Sequence, residues 1–255
     1  MNVSKDGTAP RAVVVTGGGT GIGQAIARAF AEHADHVLVV GRTERTLVET
    51  ADGYPTIRPL TADITAPGQV RRIVDTAVRE FGRIDVLVNN ASAATPAPLG
   101  RIERPAALAE IEANLLAPIL LTQAAVPALA ATGGTVVNIS SAGSLGRRAW
   151  PNFSIYGATK VGLDFLTRTW AVELAPQGIR VVGIAPGVVE TGMGVRSGAT
   201  QEEYARFLEW MKTVTPLGRV GAPAEIAWWV RQLTAPEAGF ATGTVLAVDG
   251  GASVV

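Results

Sequence analysis

The sequence predicts an α/β fold: a doubly wound parallel sheet with helices on both faces, built as a single domain over residues 1–255. Three observations predict it. Short apolar runs alternate with helix-forming stretches along most of the chain. The runs are nearly continuous rather than polar on every second residue, as strands covered on both faces require. The first run also feeds a helix through a glycine-rich turn, the usual opening of such sheets. With 255 residues, 47% of them hydrophobic, the chain can bury one sizeable core, and no repeat or linker interrupts it.

Residues 1–11 are polar and lack the apolar stretch of a signal peptide, so residues 1–10 are expected to be a flexible start. Residues 12–15 form the first strand, and Thr16 to Gly23 turn into a helix over residues 24–32. Gly17, Gly21 and Gly23 lack Cβ atoms, so a diphosphate can approach the backbone while the helix points its free N–H groups at the anion. Gly19, Thr20 and Ile22 complete this cradle; an ordinary tight turn is the plainer reading. Further strands are expected at residues 37–40, 56–60, 86–88, 136–139, 181–184 and 245–248. Residues 115–131 are apolar almost all round, which marks a helix buried on more than one side, within the domain or against another subunit.

Charge and composition narrow the function. Lys plus Arg and Asp plus Glu number 22 each, with no basic run, so neither nucleic acid nor a membrane surface is an expected partner. A small-molecule substrate and a cytoplasmic location are expected. Cysteine is absent, which removes disulfides and thiolate chemistry. The two histidines, His33 and His36, precede the strand at residue 37. They therefore sit on the rim opposite the ligand crevice and read as solvated surface residues, so no metal site is expected.

The remaining acid/base candidates converge. Tyr156 and Lys160 stand at i and i+4 on one face of a helix running to residue 174. A close cation stabilises a phenolate; bringing a tyrosine near pH 7 takes a shift of ~3 units, or ~4 kcal/mol. An ordinary surface pair is the plainer alternative. Ser141 follows the strand at residues 136–139, where a hydroxyl faces the crevice and can hydrogen-bond a carbonyl.

With these residues in place, the chain resembles the short-chain dehydrogenase/reductase family, a Rossmann-type group, over practically its whole length. The matching motifs are Thr16-Gly17-x-x-x-Gly21-Ile22-Gly23, Asp63, Asn89-Asn90-Ala91, Asn114, Ser141, Tyr156-x-x-x-Lys160, Pro186-Gly187-x-x-x-Thr191 and Val248-Asp249-Gly250-Gly251. The resemblance implies nicotinamide-dependent interconversion of an alcohol and a carbonyl. It makes Tyr156 the general acid/base and Ser141 the group that orients and polarises the carbonyl. Lys160 would hold the nicotinamide ribose and depress the Tyr156 pKa, and Asn114 would fix a water in the proton relay. Asp63, Ile64 and the Asn90-Ala91 backbone would flank the adenosine, while Val189 and Thr191 would grip the carboxamide. A homotetramer is also implied.

The chain departs from the family pattern twice. Ser92 replaces the usual glycine beside the cofactor, and the Ser141 to Tyr156 spacing is slightly long. The extra residues fall at 143–149, leaving Ser140 and Ser144 as lesser candidates for the catalytic hydroxyl and placing Arg147, Arg148 and Trp150 at the substrate entrance. At the end of the second strand, Gly41 stands where an acid would select NAD, followed by Arg42 and Thr43. A guanidinium there can pair with a 2′-phosphate, so NADP(H) is favoured over NAD(H), unless Arg42 merely pairs with Glu44. Residues 192–216 form the expected substrate lid, with Met193, Tyr204, Phe207, Leu208, Trp210 and Met211 pointing to an apolar or aromatic substrate or packing the lid in place. The expectation is an NADP(H)-dependent ketone reductase; the alternatives are an NAD-dependent alcohol dehydrogenase and a non-catalytic nucleotide-binding sensor or scaffold.

Overall fold

In the computed structural model, residues 9–145 and 149–255 are described. The expectations for residues 1–8 and for Arg147 and Arg148 lie outside the described residues. The strands are β1 (Ala12–Thr16), β2 (His36–Gly41), β3 (Ile57–Thr61), β4 (Val86–Asn89), β5 (Thr135–Ile139), β6 (Arg180–Pro186) and β7 (Val245–Val248). They form one sheet in the order β3-β2-β1-β4-β5-β6-β7, every pair parallel. The order reverses between β1 and β4, which opens the crevice at their carboxyl ends.

The continuous apolar strands are explained by alternation between two layers. Val13 and Val15 of β1 face one core with Ile26 and Phe30 of α1 (Gly21–Ala31). Val14 faces the other, with Ile73 and Ala77 of a helix at Gln69–Phe81. Successive strand side chains point to opposite faces, so neither side of β1 can be polar. Helix α2 (Glu44–Ala51) follows β2, and we number the Gln69–Phe81 helix α3.

The apolar stretch near residue 115 lies in α4 (Arg104–Ile111) and α5 (Ala117–Ala130), joined by a π-helical turn at Glu112–Leu116. The run from Arg104 to Ala130 is long and apolar enough to cross a membrane by length and composition. Here Leu121, Ala125 and Leu129 pack into the core beneath the sheet. Of the expected burial on more than one side, within the domain or against another subunit, the domain itself supplies one side: Leu116 and Leu120 remain 44% and 41% exposed. A sheet can cover only one stripe of a helix.

The chain continues through α6 (Ser154–Leu174), α7 (Met193–Arg196), α8 (Gln201–Val214) and α9 (Pro223–Leu233). The expected lid therefore consists of α7 and α8. Met211 and Leu208 are buried, whereas Phe207 and Trp210 are largely exposed and pair at 6.2 Å between ring centroids. Both histidines lie at the amino-terminal rim, but solvation is not their whole environment. His33 Nε2 lies 2.7 Å from Arg231 Nη1, and His36 stacks on Phe81 at 5.4 Å.

Candidate active site

Every strand that ends at the crevice delivers a residue to it. Thr16 closes β1, and its Oγ1 donates to Val88 O at 3.2 Å while accepting the amides of Asn90 and Ala91, each at 3.0 Å. The Asn90 side chain returns the link, donating from Nδ2 to Thr16 O at 2.8 Å and to Gly17 O at 3.3 Å. The exit of β4 is thus laced to the glycine turn. The N–H groups of Asn90 and Ala91 are already engaged, so contact from this segment to an adenosine would involve other atoms.

Gly17 and Gly21 have φ of +65° and +55°, the left-handed region that glycine alone enters freely. A Cβ on Gly23 would lie 2.3 Å from Gly17 O, so this position admits only glycine without rearrangement. Thr20 makes no side-chain cap on α1, and no acid stands in the first helical turn. The helix start therefore presents uncapped amides to an anion. Gly19 and Ile22 complete the turn.

Arg42 and Thr43 are exposed beyond β2, and Asp63 sits beyond β3. The Thr65 backbone amide and hydroxyl, with a smaller effect from Arg42, hold the Asp63 carboxyl below the usual carboxylate range. Among the described residues no ion pair joins Arg42 to Glu44. Ile64 packs partly buried against the core.

At the other side of the crevice, Asn114 stands in the π-helical turn and is 1% exposed. Its Nδ2 donates to Ala93 O at 2.8 Å and Thr159 Oγ1 at 3.2 Å. Its Oδ1 accepts from the Ala93 amide at 2.7 Å and from Ser92 Oγ at 3.1 Å. Both donors and the acceptor oxygen of the Asn114 side chain are occupied, so a water fixed by Asn114 would bond to its main chain. Ser92, the departure from the glycine pattern, uses its hydroxyl to hold Asn114.

Tyr156 and Lys160 emerge from the first turns of α6. Lys160 is 2% exposed, its Nζ donates to Ile139 O at 2.9 Å, and it stands 5.6 Å from the Tyr156 ring centroid. Burial pushes its pKa down to about 8, against the opposing pull of Asp164. Burial pushes the Tyr156 phenol above its ordinary value; a hydrogen bond with Ser141 offsets part of this, and the Glu110 charge adds to it. Lys160 is not among the groups that set the Tyr156 pKa, where its depression by Lys160 is expected: desolvation of the phenol dominates, and the ammonium directs one of its three N–H groups at the Ile139 carbonyl.

Of the three serines after β5, Ser141 is the one bonded to Tyr156. Ser144 Oγ donates to Asp164 Oδ2, and Ser140 Oγ lies 3.1 Å from Ser144 Oγ. Trp150, Phe153 and Tyr156 form an edge-to-face series, with centroid separations of 6.3 and 6.1 Å. Beyond β6, Gly187 donates to Val248 O at 3.0 Å, which fixes the segment following Pro186. Val189 is 8% exposed and bridges to Gly221. Thr191 closes over the glycine turn: a Cβ built on Gly21 would meet Thr191 Cβ at 2.9 Å.

Comparison with known proteins agrees with this arrangement. A family model described as enoyl-(acyl carrier protein) reductase matches residues 17–253. A 3-oxoacyl-[acyl-carrier-protein] reductase of Thermotoga maritima is 35% identical over 243 residues, covering 93% of this chain and 96% of that protein. The chain belongs to the short-chain dehydrogenase/reductase family. Its relatives differ in substrate: a cis-4-hydroxycyclohexanecarboxylate dehydrogenase of Sinomonas cyclohexanicum is 36% identical, covering 97% of this chain and 98% of that one. A crystal structure of a short-chain dehydrogenase/reductase from Caenorhabditis elegans with cofactor superposes with a TM-score of 0.90 at 33% identity, covering 96% of each chain.

Short-chain dehydrogenases/reductases are oxidoreductases that use a nicotinamide nucleotide, and the residues present fit one. The positive-φ glycines and the uncapped start of α1 leave backbone amides free for a phosphate, and Gly23 keeps the turn clear of a Cβ that would meet Gly17 O. Sequence reasoning missed Glu110, Thr159 and Asp164, all buried within this site. Glu110 and Asp164 lie within helical stretches that read as ordinary amphipathic pattern. Only packing brings them to Tyr156 and Lys160.

Proposed function

We propose that the protein is a cytoplasmic NADP(H)-dependent carbonyl reductase, acting on a ketone with an apolar or aromatic body. The observation that carries the reading is the convergence of Tyr156, Ser141 and the buried Lys160 at the carboxyl end of β5, where Lys160 Nζ donates to Ile139 O. Burial favours the neutral phenol, the form that donates to a carbonyl oxygen. Ser141 presents the second hydrogen bond to that oxygen, and Lys160 places an ammonium at the strand end behind the phenol. A reduced nicotinamide nucleotide, when held by the glycine turn and Lys160, would supply a hydride to the carbonyl carbon. The Tyr156 proton completes the alcohol. Trp150 and Phe153 give the entrance an aromatic wall, and the lid over residues 192–216 adds Phe207 and Trp210. A screen of ketones, imines and alcohols followed by NADPH absorbance tests this reading; turnover restricted to alcohols with NAD would refute it.

Cofactor choice rests on Arg42, an exposed guanidinium beyond β2 with no acid at Gly41. Arg42→Ala is expected to raise the Michaelis constant for NADPH about tenfold while leaving that for NADH within twofold, since only a 2′-phosphate contact is lost. Initial-rate measurements with both nucleotides decide it, and equal effects would place selection elsewhere.

The assembly we propose is a homotetramer. Leu116 and Leu120 on one helix and Val161, Phe165 and Val172 on α6 are exposed apolar side chains on two helices that also meet in the site. Such surface usually marks an interface. Light scattering at micromolar concentration is expected to give four times the 26.4 kDa chain mass, and a mass of one chain would overturn it.

A further inference from the structure

Asp164 is a buried acid that the reaction outlined above does not use. It is 3% exposed and follows Lys160 by one turn of α6, in a column of Tyr156, Lys160, Asp164 and Arg168 at four-residue spacing. Its Oδ2 accepts from Ser144 Oγ at 2.5 Å. Ser144 Oγ also lies 2.5 Å from Ser141 O and 3.1 Å from Ser140 Oγ. Ser140 Oγ in turn reaches Lys160 O at 3.4 Å. The turn carrying Ser141 is thereby tied to the helix carrying Tyr156 at the Lys160 carbonyl and at the Asp164 carboxylate, whose Oδ1 has no hydrogen-bond partner. An uncompensated buried carboxylate oxygen is costly, and a site that keeps one gains something from the charge.

We propose that Asp164 is a positioning residue of the reaction: it fastens the Ser141 turn to α6 through Ser144 and stands as the counter-charge behind Lys160. The other groups around it do not duplicate either task. On α6, Arg168 lies on the solvent side and Tyr156 on the crevice side. From β5 and its turn come the hydroxyls of Ser140, Ser141 and Ser144 and the Ile139 carbonyl. From α4, Glu110 acts on Tyr156. The opposing pulls on Lys160, burial downward and Asp164 upward, fit this arrangement.

The substitution Asp164→Asn preserves size and an acceptor for Ser144 while deleting the charge. It should fold. Burial raises the Asp164 pKa, so its contribution to stability is full at low pH and lost as pH rises through the folded value; the neutral amide escapes that loss. The inference rests on the reductase reading for its kinetic part, but its charge part is read without substrate or nucleotide. The chain has three lysines, Lys5, Lys160 and Lys212, so carbon-13 lysine NMR of the free protein resolves the Lys160 titration, assigned by Lys160→Met. We expect a midpoint of about 8 in the wild type, and Asp164→Asn to lower it by about one unit through loss of a nearby opposite charge. At pH 6, where Lys160 is an ammonium in either protein, Asp164→Ala and Ser144→Ala should each lower kcat about tenfold with KM unchanged, and Asp164→Asn should restore it to within threefold of wild type. An unmoved Lys160 midpoint in Asp164→Asn overturns the proposal. So does a kcat within twofold of wild type in Asp164→Ala. Absence of activity in the wild type on every carbonyl would instead count against the reductase reading.

Discussion

Tyr156→Phe is expected to abolish turnover while leaving NADPH binding within a few-fold of wild type. The substitution removes one hydroxyl and keeps the ring, so the edge-to-face contact with Phe153 survives. What disappears is the proton that completes the alcohol. General acid catalysis contributes about 10²–10⁴-fold, and among the described residues the neighbours of Tyr156 are otherwise engaged: Lys160 is directed at Ile139 O, Glu110 accepts from the Thr95 amide, and the histidines lie on the far rim. Fluorescence titration with NADPH and steady-state assays separate binding from chemistry. A variant retaining a tenth of wild-type activity would sink the assignment.

Ser141→Ala should be the second most damaging change, lowering kcat by about 10²–10³-fold, as for loss of one preorganised donor to a developing oxyanion. Ser140→Ala and Ser144→Ala should cost far less, because their hydroxyls point into the α6 network rather than at Tyr156. The substitution also strips the hydrogen bond that partly offsets the burial of the phenol, so the Tyr156 pKa should climb further. If Ser144→Ala proves the crippling change, the carbonyl contact lies three residues later than Ser141.

Much of this site could be read from the chain because its parts sit where strands end, and strand ends are marked by apolar runs that stop abruptly. Residues 12–15 and 136–139 located Thr16 and Ser141 in that way. The four-residue spacing of Tyr156 and Lys160 is a local helical property, equally visible in the sequence. Asp164 and Glu110 were not legible, since their burial is decided by the turn after β5 and by the packing of α4 on α6. The electrostatics of Tyr156 escaped for a related reason. An i, i+4 lysine looks like a phenolate partner until the fold gives its ammonium to the Ile139 carbonyl and desolvates the phenol. The exposed Leu116 and Leu120 likewise reflect how little of an apolar helix one sheet can cover.

The lacing of Thr16 to Asn90 and Ala91 bears on how such an enzyme can be re-engineered. The registration between the two halves of the crevice is set by β1 and β4 at the sheet's centre, one strand away from the β2 exit where Arg42 projects. On the proposed reading, nucleotide preference is thereby insulated from carbonyl geometry. Exchanging the side chains at 41–43 is expected to alter which adenosine is admitted without disturbing the spacing between the glycine turn and Tyr156. Thr16 is the reverse case: a valine there would strand the Ala91 amide at about 1–3 kcal/mol, leave the Asn90 amide only its bond to Val88 O, and loosen both halves together. If Arg42 selects the nucleotide as proposed, cofactor specificity is the adjustable module of this scaffold, and the Thr16 hydroxyl is the hinge pin it must keep.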